Sequence, residues 1–241
     1  MIDTHCHLLP QLDDGPATEE AALALAARLE QSGVTQVLCT PHYSTTFPTD
    51  RLEALSRESE LVRLLEAEGV RLDLALAAEV SPERAVAAGS EELLARSIGE
   101  KFLLVELLPD TPPVTLTTIC ERLAKLDLLP VFAHPERCRA LARGLEPLDE
   151  ARREGALVQV VARSLLGRWG SDIRTVAWRL VDTGRADLLA SDAHHRGHGG
   201  ALLRAAELIA DRLGNGVRNE LTAHRPGLVL SGVHPETRTR R

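Results

Sequence analysis

The chain has 241 residues, 44% of them hydrophobic, which is enough to bury a sizeable core and excludes a disordered polymer. Aromatic residues make up only 2%, so the core must be built from Leu, Val, Ala and Ile, and nucleic-acid binding through stacked bases is disfavoured. A formal net charge of −7 gives no long-range attraction for polyanions, although bound cations could reverse the field locally.

The opening MIDTHCHLLP lacks the basic and long apolar regions of a signal peptide, and no apolar run is long enough to span a bilayer. Export and membrane insertion are therefore not expected. Residues 2–6 read as a strand whose end carries His5 and His7. Side chains alternate along a strand, so the two imidazoles leave on one face and Cys6 points the other way, into packing. The turn-forming Asp13-Asp14-Gly15-Pro16 follows. A helix is predicted over 18–31, with Thr18 as N-cap, Glu19 and Glu20 in the first turn and Gly33 as the stop. Strand 36–39 leads into Thr40-Pro41-His42, and helix 49–68 ends at Gly69. Strand 71–79 ends on Glu79, strand 102–106 on Glu106 and strand 129–134 on His134, with a helix at 115–125 between the last two. A helix at 148–154, a strand at 157–161 and a helix at 172–182, N-capped by Asp172 and stopped by Gly184, come next. Strand 187–190 runs into Ser191-Asp192-Ala193-His194, a second pair of ligand-type residues two apart, and a helix covers 200–213. The basic stretch 236–241 reads as a frayed tail.

Strand–helix alternation over the whole chain predicts α/β architecture: a parallel sheet with right-handed crossovers, in number close to a TIM-type barrel. No linker or internal repeat is visible, so residues 1–235 are expected to form one domain.

In such a barrel the C-terminal strand ends converge on one mouth. His5, His7, His42, Glu79, Glu106, His134, Asp192 and His194 all stand there. Asp14 reads either as an ordinary turn residue or as a carboxylate lowered into the mouth. Together these are five imidazoles and four carboxylates with no thiolate, a mixed N/O set suited to Mn, Fe or Zn and too large for one ion. Three divalent ions would leave a surplus of two positive charges over the four carboxylates, matching a phosphate monoester dianion.

This ordered pattern resembles the PHP superfamily, and within it the CpsB/YwqE-type tyrosine phosphatases of bacterial capsular and exopolysaccharide systems. The features that carry the resemblance are His5-Cys6-His7, Asp13-Asp14-Gly15-Pro16, Thr40-Pro41-His42, Ala78-Glu79, Glu106, His134-Pro135-Glu136-Arg137 and Ser191-Asp192-Ala193-His194. The resemblance implies a distorted (β/α)7 barrel with two or three ions, often manganese or iron. It places His5, His7, Glu79 and Asp192 on one metal. Glu79 would bridge to a second, held also by Glu106 and His134, and Asp14, His42 and His194 would hold a third. It also implies arginines that hold the phosphate. Arg137 matches. Arg196, two residues past His194, stands closer than the pattern asks, and Arg204 is the fallback. The implied reaction is one-step hydrolysis by hydroxide made available by the metals. The implied partner is a phosphotyrosine-bearing protein such as the tail of a bacterial tyrosine autokinase.

Histidinol phosphate is the alternative substrate, a nuclease is a weaker one, and a phosphotyrosine-binding module without turnover is the non-enzyme alternative. Cysteine-based phosphatase chemistry needs an arginine six residues after the thiolate. Leu12, Thr45, Leu126 and Gly144 occupy those positions after Cys6, Cys39, Cys120 and Cys138. The four scattered cysteines fit a reducing cytoplasm. His195, His198, His224 and His234 read as solvated loop residues, and Trp169 and Trp178 as packing on outer helices. Oligomeric state is left open.

Overall fold

The computed structural model describes residues 1–235; the stretch expected to be a frayed tail lies outside the described residues. All strand pairing within the sheets is parallel. One sheet has three strands in the order β1 (Ile2–Cys6), β2 (Gln36–Cys39), β4 (Asp73–Leu76). The other has six, in the order β3 (His42–Tyr43), β5 (Glu79–Val80), β6 (Phe102–Glu106), β7 (Leu129–Ala133), β8 (Leu157–Val161), β9 (Leu188–Ala190).

The two sheets are pieces of one frame. Pro41 cannot donate to a ladder, so the second strand breaks after Cys39 and restarts at His42. Its neighbour breaks at Ala77-Ala78, which corrects the uninterrupted strand expected over 71–79. Bonds from Ala77 N–H to Cys39 O and from Glu79 N–H to Pro41 O carry the pairing across both breaks. On the far side, His7 N–H donates to Ala193 O and Asp192 N–H to His5 O, joining the end of β9 to β1 by loop bonds rather than by a ladder. The result is a distorted parallel barrel of seven strand paths, as the sequence predicts.

Helices cover its outside, chiefly α1 (Glu19–Gln31), α2 (Arg51–Ala67), α5 (Pro113–Ala124), α9 (Ser171–Asp182) and α10 (Ala201–Leu213), with shorter helices at Pro82–Ala87 (α3), Ser90–Leu94 (α4), Arg139–Arg143 (α6), Glu146–Arg153 (α7) and Ala162–Leu165 (α8). Thr18 caps α1 as expected, accepting from Ala21 N–H. Asp172 does not cap α9: Gly170 precedes Ser171, and Asp172 lies in the first turn. Several short helices escaped the sequence reading because a single turn has no measurable period.

Alternation sorts each strand into two packing faces. Leu38, Phe102, Leu104, Val131, Ala133, Leu157 and Leu188 form an inner cluster, joined by Val229. Val37, Cys39, Leu103, Val105, Phe132, Val158, Val160 and Leu189 face the helices. Each fully buried Leu, Val or Phe contributes roughly 1.5–3 kcal/mol. The same period decides the site. Glu106 shares the parity of Phe102 and Leu104, and Gln159 that of Leu157, so each side chain continues the inner face at the open end.

Candidate metal centre

His5 lies in β1 and His7 just past its end, both buried, with Cys6 turned into the outer packing. The Asp13–Gly15 turn folds back over His7. A Cβ on Gly15 would sit 2.6 Å from His7 O, so only glycine allows this approach. The turn brings in both acids, in different roles. Asp14 Oδ1 lies 3.3 Å from His194 Nε2 and 3.6 Å from His42 Nε2. Asp13 Oδ2 accepts from His7 Nδ1–H at 2.7 Å and from the His42 backbone N–H at 2.9 Å. Two further ligand-type residues stand on backbone turned into the left-handed region: His134 at φ 37° just past β7 and Asp192 at φ 51° just past β9. Such positions store strain and cluster at functional sites. They also correct the expected strand 129–134, which stops at Ala133.

Glu79 is the hub. Its Oε2 lies 3.4 Å from His5 Nε2, 3.3 Å from His7 Nε2 and 3.0 Å from His42 Nδ1, and its Oε1 is 2.9 Å from His134 Nε2. Asp192 Oδ1 is 3.6 Å from His5 Nε2 and 3.7 Å from His7 Nε2. All nine ligand-type residues named from sequence therefore meet at one mouth. Donor atoms fall into three overlapping groups, each within 4.8 Å: His5, His7 and Asp192; His42, Glu79 and Glu106; and His7, Asp14, His42 and His194. His7 and His42 are each shared between groups, a closer interleaving than the partition implied by resemblance.

The partners on the outer ring nitrogens make this cluster a candidate cation site. Gln159 Nε2 donates to Thr4 Oγ1 at 3.0 Å, which aims its Oε1 at His5 Nδ1, 2.8 Å away. That acceptor puts the His5 proton on Nδ1 and leaves a lone pair on Nε2. Asp13 does the same to His7, and the backbone carbonyl of Asp192 to His194 at 3.1 Å. The Nε2 lone pairs of His5 and His7 then face each other at 3.3 Å and both face carboxylate oxygens. Electron pairs so arranged repel unless a metal ion, or in its absence a proton, lies among them; Glu79, with Asp192 for His5 and Asp13 for His7, holds both imidazoles above their ordinary value against burial. Glu106 adds a second sign: burial, and then the charge of Glu79, push its carboxyl up. The donor set thus fits divalent metal ions. Burial alone would raise Glu79 and Asp192, but where protons rather than metal ions sit on the facing ring nitrogens, the imidazolium charges, and Arg137 for Asp192, outweigh it and hold both below the usual carboxylate range.

Sequence reading missed two supporting residues. Gln159 sits inside an apolar run, and Asp13 was overshadowed by Asp14. Burial works to raise Asp13, but its bonds to His7 and to two backbone N–H groups bring it down to about 2. Asp13→Asn is expected to weaken metal binding by about 10–100-fold while leaving the fold intact, read by titrating metal into stripped protein. The ordinary carboxyl value is 3.8 and the folded value is about 2. The Asp13 contribution to stability is thus fully present above the former and lost as pH falls through the latter. Thermal melts of the variant should lose that part of the acid dependence.

Arg137 stands on the turn Pro135–Arg137 and donates from Nη2 to Asp192 Oδ2 at 2.6 Å. Its guanidinium lies over Trp169, 4.6 Å from the ring centroid, and Arg163 lies 4.9 Å from the same ring. Trp169 is 45% exposed, and with Glu106, His134 and Arg137 it lines a cavity of about 730 Å³. The expectation that Trp169 only packs on an outer helix is therefore corrected. Trp178 is half-buried against the outer core as expected. Arg196 is exposed on the turn Arg196–His198 and lines a neighbouring cavity with Arg204, among walls that hold none of the nine ligand-type residues. His198 is half-buried beside it rather than solvated, and burial together with Arg163 pushes it down to about 4.

A distorted parallel barrel whose strand ends gather imidazoles and carboxylates at one mouth defines a barrel protein with a candidate metal centre. The family model for capsular polysaccharide synthesis, CpsB/CapC, matches residues 1–231, and the chain belongs to that family. It is 31% identical over 196 residues to the putative tyrosine-protein phosphatase CapC of Staphylococcus aureus, covering 80% of this chain and 77% of that one. It is 27% identical over 200 residues to the tyrosine-protein phosphatase YwqE of Bacillus subtilis, covering 81% and 78%. Crystal structures of YwqE and of CpsB from Streptococcus pneumoniae, described as unique metal-dependent tyrosine phosphatases, supply a match with a TM-score of 0.84 at 25% identity, covering 97% of this chain and 95% of that one.

Proposed function

We propose that this protein is a metal-dependent phosphatase that removes phosphate from protein phosphotyrosine. The observation that carries the reading is the inward-facing set of lone pairs on His5, His7 and His194, each fixed by a partner on the ring's other nitrogen. His5, His7, Glu79 and Asp192 would hold one ion, Glu79 with Glu106 and His134 a second, and Asp14, His42 and His194 a third. Manganese or iron suits these mixed N/O donors, and zinc is also compatible. Bound there, the ions supply Lewis acidity, acidifying water and drawing charge off phosphoryl oxygens.

The chain's own residues do the rest. Asp192 holds Arg137 at the edge of the cluster, where its free N–H groups can receive the equatorial oxygens of a phosphoryl group. Trp169 lines the same cavity and adds apolar surface beside that position, suited to a phenyl ring. A tyrosine leaving group has a pKa of about 10, so departure needs little help from a general acid. None is needed among the residues at the mouth.

The protein partner is read as a tyrosine-phosphorylated polypeptide, with the tail of a polysaccharide-export autokinase as the expected source. A cytoplasmic setting fits the four buried, unpaired cysteines. Among the described residues no helix is long and apolar enough to cross a membrane. The test is phosphate release by manganese-loaded protein from a phosphotyrosyl peptide and from histidinol phosphate. The peptide should be favoured at least about tenfold in kcat/KM, a difference of about 1.4 kcal/mol. Preference for histidinol phosphate would move the assignment to the small-molecule branch, and binding without release would make the protein a phosphotyrosine-binding module.

A further inference from the structure

Next to the mouth lies a second cavity, of about 380 Å³, whose walls carry Arg28, Arg163, Arg168, Arg196 and Arg204 together with His198. No carboxylate lines it. In a chain with a net charge of −7 this runs against the overall balance. Some arginines elsewhere have acidic partners, such as Arg185 with Asp149 and Arg212 with Asp182. Among the described residues, none of the five cavity arginines makes an ion pair. Burial and the charges of Arg137 and Arg168 depress the Arg163 guanidinium, against a partial offset from Asp192, so the wall of the cavity is net positive.

The crowding is built into the backbone. A Cβ on Gly199 would fall 2.9 Å from Arg28 Cγ, and one on Gly200 would fall 2.8 Å from Arg28 Nη2. The two glycines therefore let the Arg28 side chain, from the last turn of α1, lie across the start of α10. Gly200 opens α10 without a side-chain cap, so the positive end of that 13-residue helix adds to the same cavity. The cavity is joined to the reactive mouth through Trp169, on which both Arg137 and Arg163 lie.

One phosphoryl dianion at the metals is already served by Arg137. Five further guanidiniums exceed what it needs, and their planar forks match oxyanions. We propose that this cavity is an auxiliary anion site that holds a second phosphoryl group of the same polypeptide whose phosphotyrosine occupies the mouth. The proposal rests on the phosphatase reading only for the scissile group. It assigns Arg196 to this second group instead of the reacting one. Free inorganic phosphate has the same chemistry and is separated by the test.

The test uses metal-loaded protein and two peptides with non-hydrolysable phosphonate analogues of phosphotyrosine, one bearing a single phosphonate and one bearing two. The doubly substituted peptide should bind on the order of tenfold more tightly. Arg28→Gln with Arg168→Gln should remove that advantage while leaving turnover of a small aryl phosphate unchanged. Arg168→Gln alone, at an exposed position, should remove part of it and guards against a folding defect in the pair. Equal binding of the two peptides, or an advantage that survives in the double variant, overturns the proposal. Competition by inorganic phosphate in the absence of any peptide difference also overturns it, since the cavity would then take free phosphate only. If the peptide difference holds but the metal-loaded protein releases no phosphate, the anion site stands and the phosphatase reading fails. Normal release with equal binding sinks the anion site alone.

Discussion

Glu79→Gln is expected to lower kcat by about 10³-fold, equivalent to about 4 kcal/mol of barrier, with loss of bound metal. Glutamine keeps the shape of the side chain and removes one negative charge. Glu79 meets four imidazoles through its two oxygens. In the wild type, a buried carboxylate beside ring nitrogens that can shed their protons offers cations both charge and lone pairs. In the variant, the carbamoyl N–H atoms would point at those same lone pairs, or at the ions themselves. Two metal positions would be affected together, because Glu79 lies in reach of His5 and His7 on one side and of His42, Glu106 and His134 on the other. Steady-state rates and metal content of the purified variant check this. Wild-type kcat in Glu79→Gln would remove the hub from the account.

Arg137→Ala is expected to lower kcat/KM by about 10²–10³-fold while metal content changes little. The guanidinium is anchored on Asp192 at 2.6 Å and steadied on the Trp169 face, so it is positioned before substrate arrives. Its Nε is buried without a partner. A donor kept in that condition is costly unless a ligand uses it. Arg137→Lys should recover only part of the loss, because a single ammonium cannot match the fork. The measurement is kcat/KM for an aryl phosphate alongside metal content. A variant within threefold of wild type would deny Arg137 a role on the phosphoryl group.

Much of this site was legible in the sequence because strand periodicity and mouth position are coupled. An ionisable residue closing an apolar run must leave the barrel at its open end, and Glu79, Glu106 and His134 each do so. What was hidden depends on contacts remote in the chain. Asp13 and Asp14 are adjacent, equally acidic and equally turn-forming. Only the folded turn shows that Asp14 faces His194 while Asp13 fixes the proton on His7. Gln159 looks like a tolerated polar residue in strand 157–161, and its bond to His5 spans 154 positions. The left-handed backbone at His134 and Asp192 has no local signature, since neither is glycine. Trp169 read as packing because its neighbours Arg137 and Arg163 come from separate turns.

The central claim is that metal ions held by imidazoles and carboxylates at the barrel mouth drive hydrolysis. Its most direct test is phosphate release from a phosphotyrosyl peptide before chelation, after chelation and dialysis, and after manganese is returned, with metal per chain measured at each stage. The account predicts two or three ions per chain at the start, loss of nearly all release with the ions, and recovery on their return. Undiminished release from protein with no detectable metal would contradict it.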